Sequence, residues 1–229
     1  MAIPLLLAAY KLDHVRFSGI VQAIEKTFFR YKLVCNQHVS KLKKIYSEET
    51  ISIRSDPQNY DTTSLNRKLK KLIDENANDE YFESSLNTLE YKKGGGNKPL
   101  KYFLMCCEYY YEWYKAGAEK EPLCVDKSRV YDFSGTSIEH VYPRNADQKT
   151  IDNSLEPVKN DLGNLTIMDP AQNSLAGNDG FESKVPIYLR SSVVLTREIG
   201  ERTAWTRKEF DQHKENLKSI ALNVFKILA

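Results

Sequence analysis

Ser137-Ile138-Glu139-His140-Val141-Tyr142-Pro143, followed by Leu162-Gly163-Asn164-Leu165-Thr166-Ile167-Met168 and then by Asn173, Asn178 and Lys184, is the part of this chain whose reading decides the fold. The first two blocks read as short strands. Met168-Asp169-Pro170 reads as strand end, helix cap and first helical residue, because aspartate accepts orphan N–H groups and proline fits the first position. A carboxylate beside a histidine can hold a divalent cation next to a general base, and a later amide can complete the inner shell. Hydrolysis of a phosphodiester asks for that combination: water deprotonated on one side of phosphorus and a leaving oxygen stabilised on the other. The pattern points to a nucleic-acid backbone as substrate.

His140 is the only histidine here with an adjacent carboxylate and a following proline, which makes it the candidate general base. Neighbours on a strand face opposite ways, so Glu139 and His140 serve one site only where the strand bends or lies at an edge. Pro143 and the loop after it agree with that. Blander roles stand beside these: a hydrogen-bonded Glu–His pair, a turn at Asn164 after Gly163, a helix end at Asn173 and Asn178 with Gly177 and Gly180, a solvated charge at Lys184.

The three blocks together resemble the HNH, or ββα-metal, nucleases, and in particular the C-terminal region of GmrSD-type modification-dependent restriction enzymes. Ile138-Glu139-His140-Val141-Tyr142-Pro143 looks like that family's E-H-x-x-P strand, Leu162-Gly163-Asn164-Leu165-Thr166 like its G-N-L strand, and Asn173 to Asn178 with Phe181 to Lys184 like its helix region. The resemblance covers residues 98–228 well and weakens upstream. It implies an α+β, predominantly helical chain with a small ββα-metal core inserted among helices. It also implies that Glu139 and Asn173 ligate Mg²⁺ or Mn²⁺, and that Asn164 on the second strand orients His140 by hydrogen bonding. Lys184 and Arg144 are then candidate phosphate contacts and, with Asn178, second-rank site residues. Arg144 stands where the family often carries glutamine.

In function, the resemblance implies a DNA endonuclease or nicking domain for antiphage restriction, leaving 5′-phosphate and 3′-hydroxyl ends. The competing classes are a catalytically inactive helical module that binds DNA or a partner, and an RNA-cleaving nuclease. Family members place a nucleotide-binding domain with a D-G-Q-Q-R-like motif ahead of the helical region. No such motif occurs here, and that domain is the expected missing partner.

The remaining sequence sets limits on these readings. A formal charge of +2 over 229 residues argues against nonspecific electrostatic coating of DNA, so binding would need a local basic patch. Candidates are Lys41 with Lys43 and Lys44, the run 67–71, and Lys92, Lys93 and Lys98, each also readable as a solvated face or loop. Cys35, Cys106, Cys107 and Cys124 form no C-x-x-C pair and read as reduced, buried small hydrophobes. The aromatic run 109–114 reads as core. No stretch is long and apolar enough to cross a bilayer, and residues 3–10 lack a basic leader, so a cytoplasmic location is expected.

Helical periodicity predicts helices over residues 13–34, 40–46, 65–73, 81–89 and 99–116, and a closing helix opened by the capping box Thr206-Arg207-Lys208-Glu209. Gly94-Gly95-Gly96 is the expected boundary between an N-terminal helical region (1–93) and a nuclease region (94–229).

Overall fold

The computed structural model describes residues 1–120, 134–148 and 151–227. Two compact units result, Met1–Leu86 with Phe225–Ala229, and Asn87–Val224. The described chain is predominantly helical with one two-stranded sheet, an α+β architecture. Cys35, Cys106 and Cys107 are buried free thiols; Cys124 lies outside the described residues.

The first unit is helical. Helix α1 (Ile3–Ala9) packs on α3 (Ser40–Ser55), and α2 (His14–Thr27) on α4 (Thr62–Asn76). Asp13 starts α2 by accepting from Arg16 N at 3.0 Å, the bond expected of an N-cap aspartate. The helix predicted to residue 34 continues past Thr27 in a wider winding, Phe28–Val34, closed by Cys35 N donating to Arg30 O at 2.9 Å. On α4 the buried residues are Leu65, Leu69, Leu72 and Ile73, the apolar stripe read from the sequence. Helix α5 (Asp79–Leu86) completes the unit, its Phe82 edge-on to Phe225.

The second unit carries the sheet. Helix α6 (Lys98–Tyr109) is followed by α7 (Tyr111–Lys115), so the helix predicted over 99–116 breaks at Tyr110. Tyr111 and Trp113 are buried, which makes the aromatic run mainly a packing surface. Strands β1 (Ser137–His140) and β2 (Leu165–Met168) pair antiparallel, with Ser137 opposite Met168 and His140 opposite Leu165. Helix α8 (Pro170–Ala176) follows directly, capped by Asp169 accepting from Ala171 N at 2.8 Å. Then come α9 (Phe181–Tyr188), α10 (Val194–Gly200) and α11 (Arg207–Val224). Thr206 and Glu209 form the expected capping box, with Thr206 N donating to Glu209 Oε2 at 3.0 Å and Lys208 N to Thr206 Oγ1 at 3.2 Å.

A two-stranded ribbon leaves backbone carbonyls that need partners once buried. Side chains supply them. His213 Nε2–H donates to Leu165 O at 3.1 Å and Thr196 Oγ1 to Ile167 O at 2.8 Å. On β1, Asn173 Nδ2 donates to Ile138 O at 3.0 Å and Lys184 Nζ to His140 O at 2.7 Å. Helices α8 to α11 therefore fasten the sheet by polar contacts as well as through the core that Val141, Met168, Tyr188 and Phe210 share.

Candidate active site

The block expected as the second strand divides in two. Leu162–Asn164 is a turn of 3₁₀ helix and only Leu165–Met168 is strand, so Asn164 stands at the entrance to β2 and not on it. Gly163 is required there: a Cβ would come within 2.8 Å of both the ring and the carbonyl of Phe210, so only glycine lets α11 approach this closely.

Asn164 is fully buried and all its polar capacity is spent on scaffolding. Its Oδ1 accepts from Tyr142 N at 2.7 Å and from Trp205 Nε1 at 3.1 Å. Its Nδ2 donates to Tyr142 O and Lys159 O, both at 2.8 Å. The two N–H donors and two carbonyl acceptors fix which end of the amide is which. Asn164 thus locks both ends of the loop between the strands. It does not make the expected bond to the His140 ring, because four backbone and indole partners already occupy it.

Asn160 takes that position. Its Oδ1 lies 3.2 Å from His140 Nε2, an arrangement that matches the tautomer with the ring proton on Nε2 and Nδ1 deprotonated. Tyr91 closes a second side of the imidazole, edge-on at 4.6 Å between ring centres. Tyr91 is itself held, its N–H donating to Asn160 O at 2.8 Å and its hydroxyl accepting from Arg144 Nη1 at 3.1 Å. His140 is 7% exposed, and burial above all holds its imidazole down to about 4, with the cationic Arg144, Lys184 and Lys159 acting in the same direction and the Asn160 bond opposing.

Glu139 faces other neighbours. It is 3% exposed, and both its side-chain donors fall on one oxygen: Oε1 accepts from Lys184 Nζ and from Tyr188 OH, each at 2.7 Å. Burial pushes its carboxyl up from the usual range, while the charge and hydrogen bond of Lys184 and the Tyr188 hydroxyl pull it back. Lys184 is fully buried. The expectation of a phosphate contact at Lys184 gives way to an ammonium shared between Glu139 and the His140 carbonyl, which ties α9 to the end of β1.

Asn173, one turn into α8, donates from Nδ2 to Ser137 Oγ at 2.8 Å as well as to Ile138 O. The Ile138 carbonyl can only accept, so the amide nitrogen must face it and Oδ1 points elsewhere. Ser137 and Glu139 share one face of β1, and the Asn173 amide sits on that side. Ile138 and His140 are two residues apart on the strand, about 7 Å. Glu139, His140 and Asn173 therefore gather along one short strand, with the imidazole and the carboxylate turned to different surroundings. Asn178 lies beyond α8 and is exposed. Arg144 is partly buried over the Tyr91 ring.

The oxygens left for a cation are Glu139 Oε2, which has no side-chain donor, and Asn173 Oδ1. Two neutral-to-anionic oxygens suit a hard ion that keeps most of its waters. Among the described residues no group of three or more His, Cys, Asp or Glu side chains is placed to hold a metal. A cleft of about 500 Å³ opens beside Asn164's partners, walled by Tyr142, Pro143, Phe181 and Trp205 and bearing Asp152 and Glu182. Neither His140 nor Asn173 lines it. Among the described residues no helix is long and apolar enough to cross a membrane.

Sequence reasoning missed Asn160, Tyr91 and Tyr188. The only signal for Asn160 was a position four residues before Asn164, in the loop that must return to β2. No curated protein matches the chain. The family model for the GmrSD restriction endonucleases, C-terminal domain, matches residues 76–220. That match spans both strand blocks, α8 and most of α11, and so the chain belongs to the family of GmrSD restriction endonuclease C-terminal domains.

Proposed function

We propose that the chain cuts DNA phosphodiester bonds from an HNH-type ββα centre made by β1, β2 and α8. The observation that carries this reading is the Asn160–His140 contact at 3.2 Å, which gives the imidazole one bare nitrogen. Family membership supplies DNA as the substrate class.

In this reading His140 Nδ1 takes the proton from the attacking water, while Asn160 holds Nε2–H and Tyr91 keeps the ring from turning. Burial keeps the imidazole neutral, hence able to accept, at ordinary pH. Lys184 and Tyr188 keep Glu139 ionised and aimed. Glu139 and Asn173 would hold Mg²⁺ or Mn²⁺, which when bound offsets negative charge on the leaving 3′ oxygen. Asn164 acts at one remove by fixing the loop that carries Asn160. Products carry 5′-phosphate and 3′-hydroxyl ends. A nucleotide-binding domain as partner belongs to the same proposal.

A second reading is favoured by the burial of Glu139, His140 and Lys184, at 3%, 7% and 0% exposure: a closed, non-catalytic core that binds DNA. Incubation with supercoiled plasmid and Mg²⁺ or Mn²⁺ separates the two. Nicked circles that vanish with chelator establish the nuclease; intact plasmid together with a gel shift establishes the binding module.

A further inference from the structure

The glycine triplet expected as a linker between regions lies inside the second unit, in a loop whose first end is fastened to the surroundings of His140. Glu90 bridges to Asp161, and Tyr91 N–H bonds Asn160 O at 2.8 Å. One residue later the loop begins, and Asn97 clasps it. Its Oδ1 accepts from Lys92 N at 2.7 Å and its Nδ2 donates to Lys92 O at 2.9 Å. Gly94, Gly95 and Gly96 all have positive φ, at 93°, 133° and 78°, so the tight return between Lys92 and Asn97 is open only to glycine. The far end feeds directly into α6 at Lys98.

This clasped loop carries charge. Lys92, Lys93 and Lys98 are exposed, and none enters an ion pair among the described residues. Residues 90–98 contain three lysines and one carboxylate, Glu90. Tyr91 links them to Arg144, whose guanidinium lies 5.7 Å from the Tyr91 ring centre, and to His140, whose ring is 4.6 Å away. With a formal charge of +2 on the whole chain, attraction to a polyanion must come from local surfaces, and this one adjoins the candidate base.

We propose that residues 92–98 form a strand-gripping loop that contacts DNA phosphates beside the cutting centre. Three ammonium groups on a clasped glycine turn can follow successive phosphates, and the bare glycine backbone lets the strand come close. The inference builds on the nuclease reading of the His140 site, yet the two fail separately.

The test is fluorescence anisotropy of the full chain with a labelled DNA duplex, in chelator, from low to moderate salt. Each phosphate contact contributes about 0.9 to the slope of log affinity against log salt. The Lys92→Ala/Lys93→Ala/Lys98→Ala protein is expected to lose about 2 to 3 of that slope and to bind at least about tenfold more weakly near 0.1 M salt. A Lys→Arg triple variant should bind like wild type, and equal melting temperatures show that the fold is kept. Unchanged affinity and slope in the alanine protein overturn the proposal, as does a wild type that binds no DNA. Lysine-dependent binding by a protein that fails to cut plasmid supports the loop and removes the catalytic reading alone.

Discussion

Asn160 Oδ1 stands 3.2 Å from His140 Nε2, and in the proposed mechanism this contact leaves Nδ1 as the nitrogen that takes the proton. A carbonyl oxygen accepts and cannot donate, so it selects the Nε2–H tautomer. Asn160→Leu is expected to lower kcat by about 10- to 100-fold, the size of effect known where a metal-bound histidine loses the partner that orients its ring, with KM little changed. Asn160→Asp keeps an acceptor and should retain most activity. Nitrogen-15 NMR of the His140 ring gives a direct check, and an Nδ1–H tautomer in the wild type contradicts the assignment.

Asn164 has a different job, and its replacement should show it. Asn164→Ala leaves two buried carbonyls and two buried N–H donors without partners. A loss of about 3 kcal/mol or more is expected from denaturant melts, since each such group costs about 1–3 kcal/mol. A near-wild-type melt would show that the loop does not depend on this amide.

The Lys184–Glu139 pair is buried on both sides. Lys184→Met strands a carboxylate in the core, and removing one member of a buried pair costs about 3–5 kcal/mol. Adding Glu139→Gln to Lys184→Met should recover much of that stability while leaving cleavage absent. Failure of the second substitution to restore the melting point argues against the charge explanation.

Acid sensitivity follows from His213. Its Nε2–H donates to Leu165 O, and burial holds its imidazole down to about 4, against about 6.5 in an open chain. The folded value lies below the unfolded one, so between them the unfolded state binds the extra proton. The stabilising contribution is complete above about pH 6.5, shrinks as pH falls and is gone near pH 4. His213→Gln keeps a donor for Leu165 O and should flatten the fall in melting temperature across that window. An unaltered pH profile in the variant would remove His213 from the account.

Much of the architecture was legible because it rests on local signals. The Asp169-Pro170 start of α8, the Thr206/Glu209 box and the apolar stripe of α4 each follow from a few neighbouring residues. Glu139, His140 and Asn173 were legible as residues brought to one short strand and the helix after it, and their bonds were not. Asn164 and Asn160 are both asparagines in one loop, and only the folded path decides which reaches the imidazole. Lys184 read as a candidate phosphate contact because nothing local announces that α9 turns it inward onto Glu139. The glycine triplet read as a linker for the same reason: its clasp is a side-chain bond from Asn97 to Lys92, and its anchor, Tyr91, is far upstream of His140 in sequence but in contact with its ring.

The most direct measurement is the single-turnover rate of plasmid nicking with Mn²⁺ for wild type and His140→Ala at saturating protein. Loss of a general base lowers rates by about 10²- to 10⁴-fold, and a fall of that size is expected, with DNA binding unchanged and the protein still folded. A His140→Ala protein that nicks at the wild-type rate would contradict the assignment of the base.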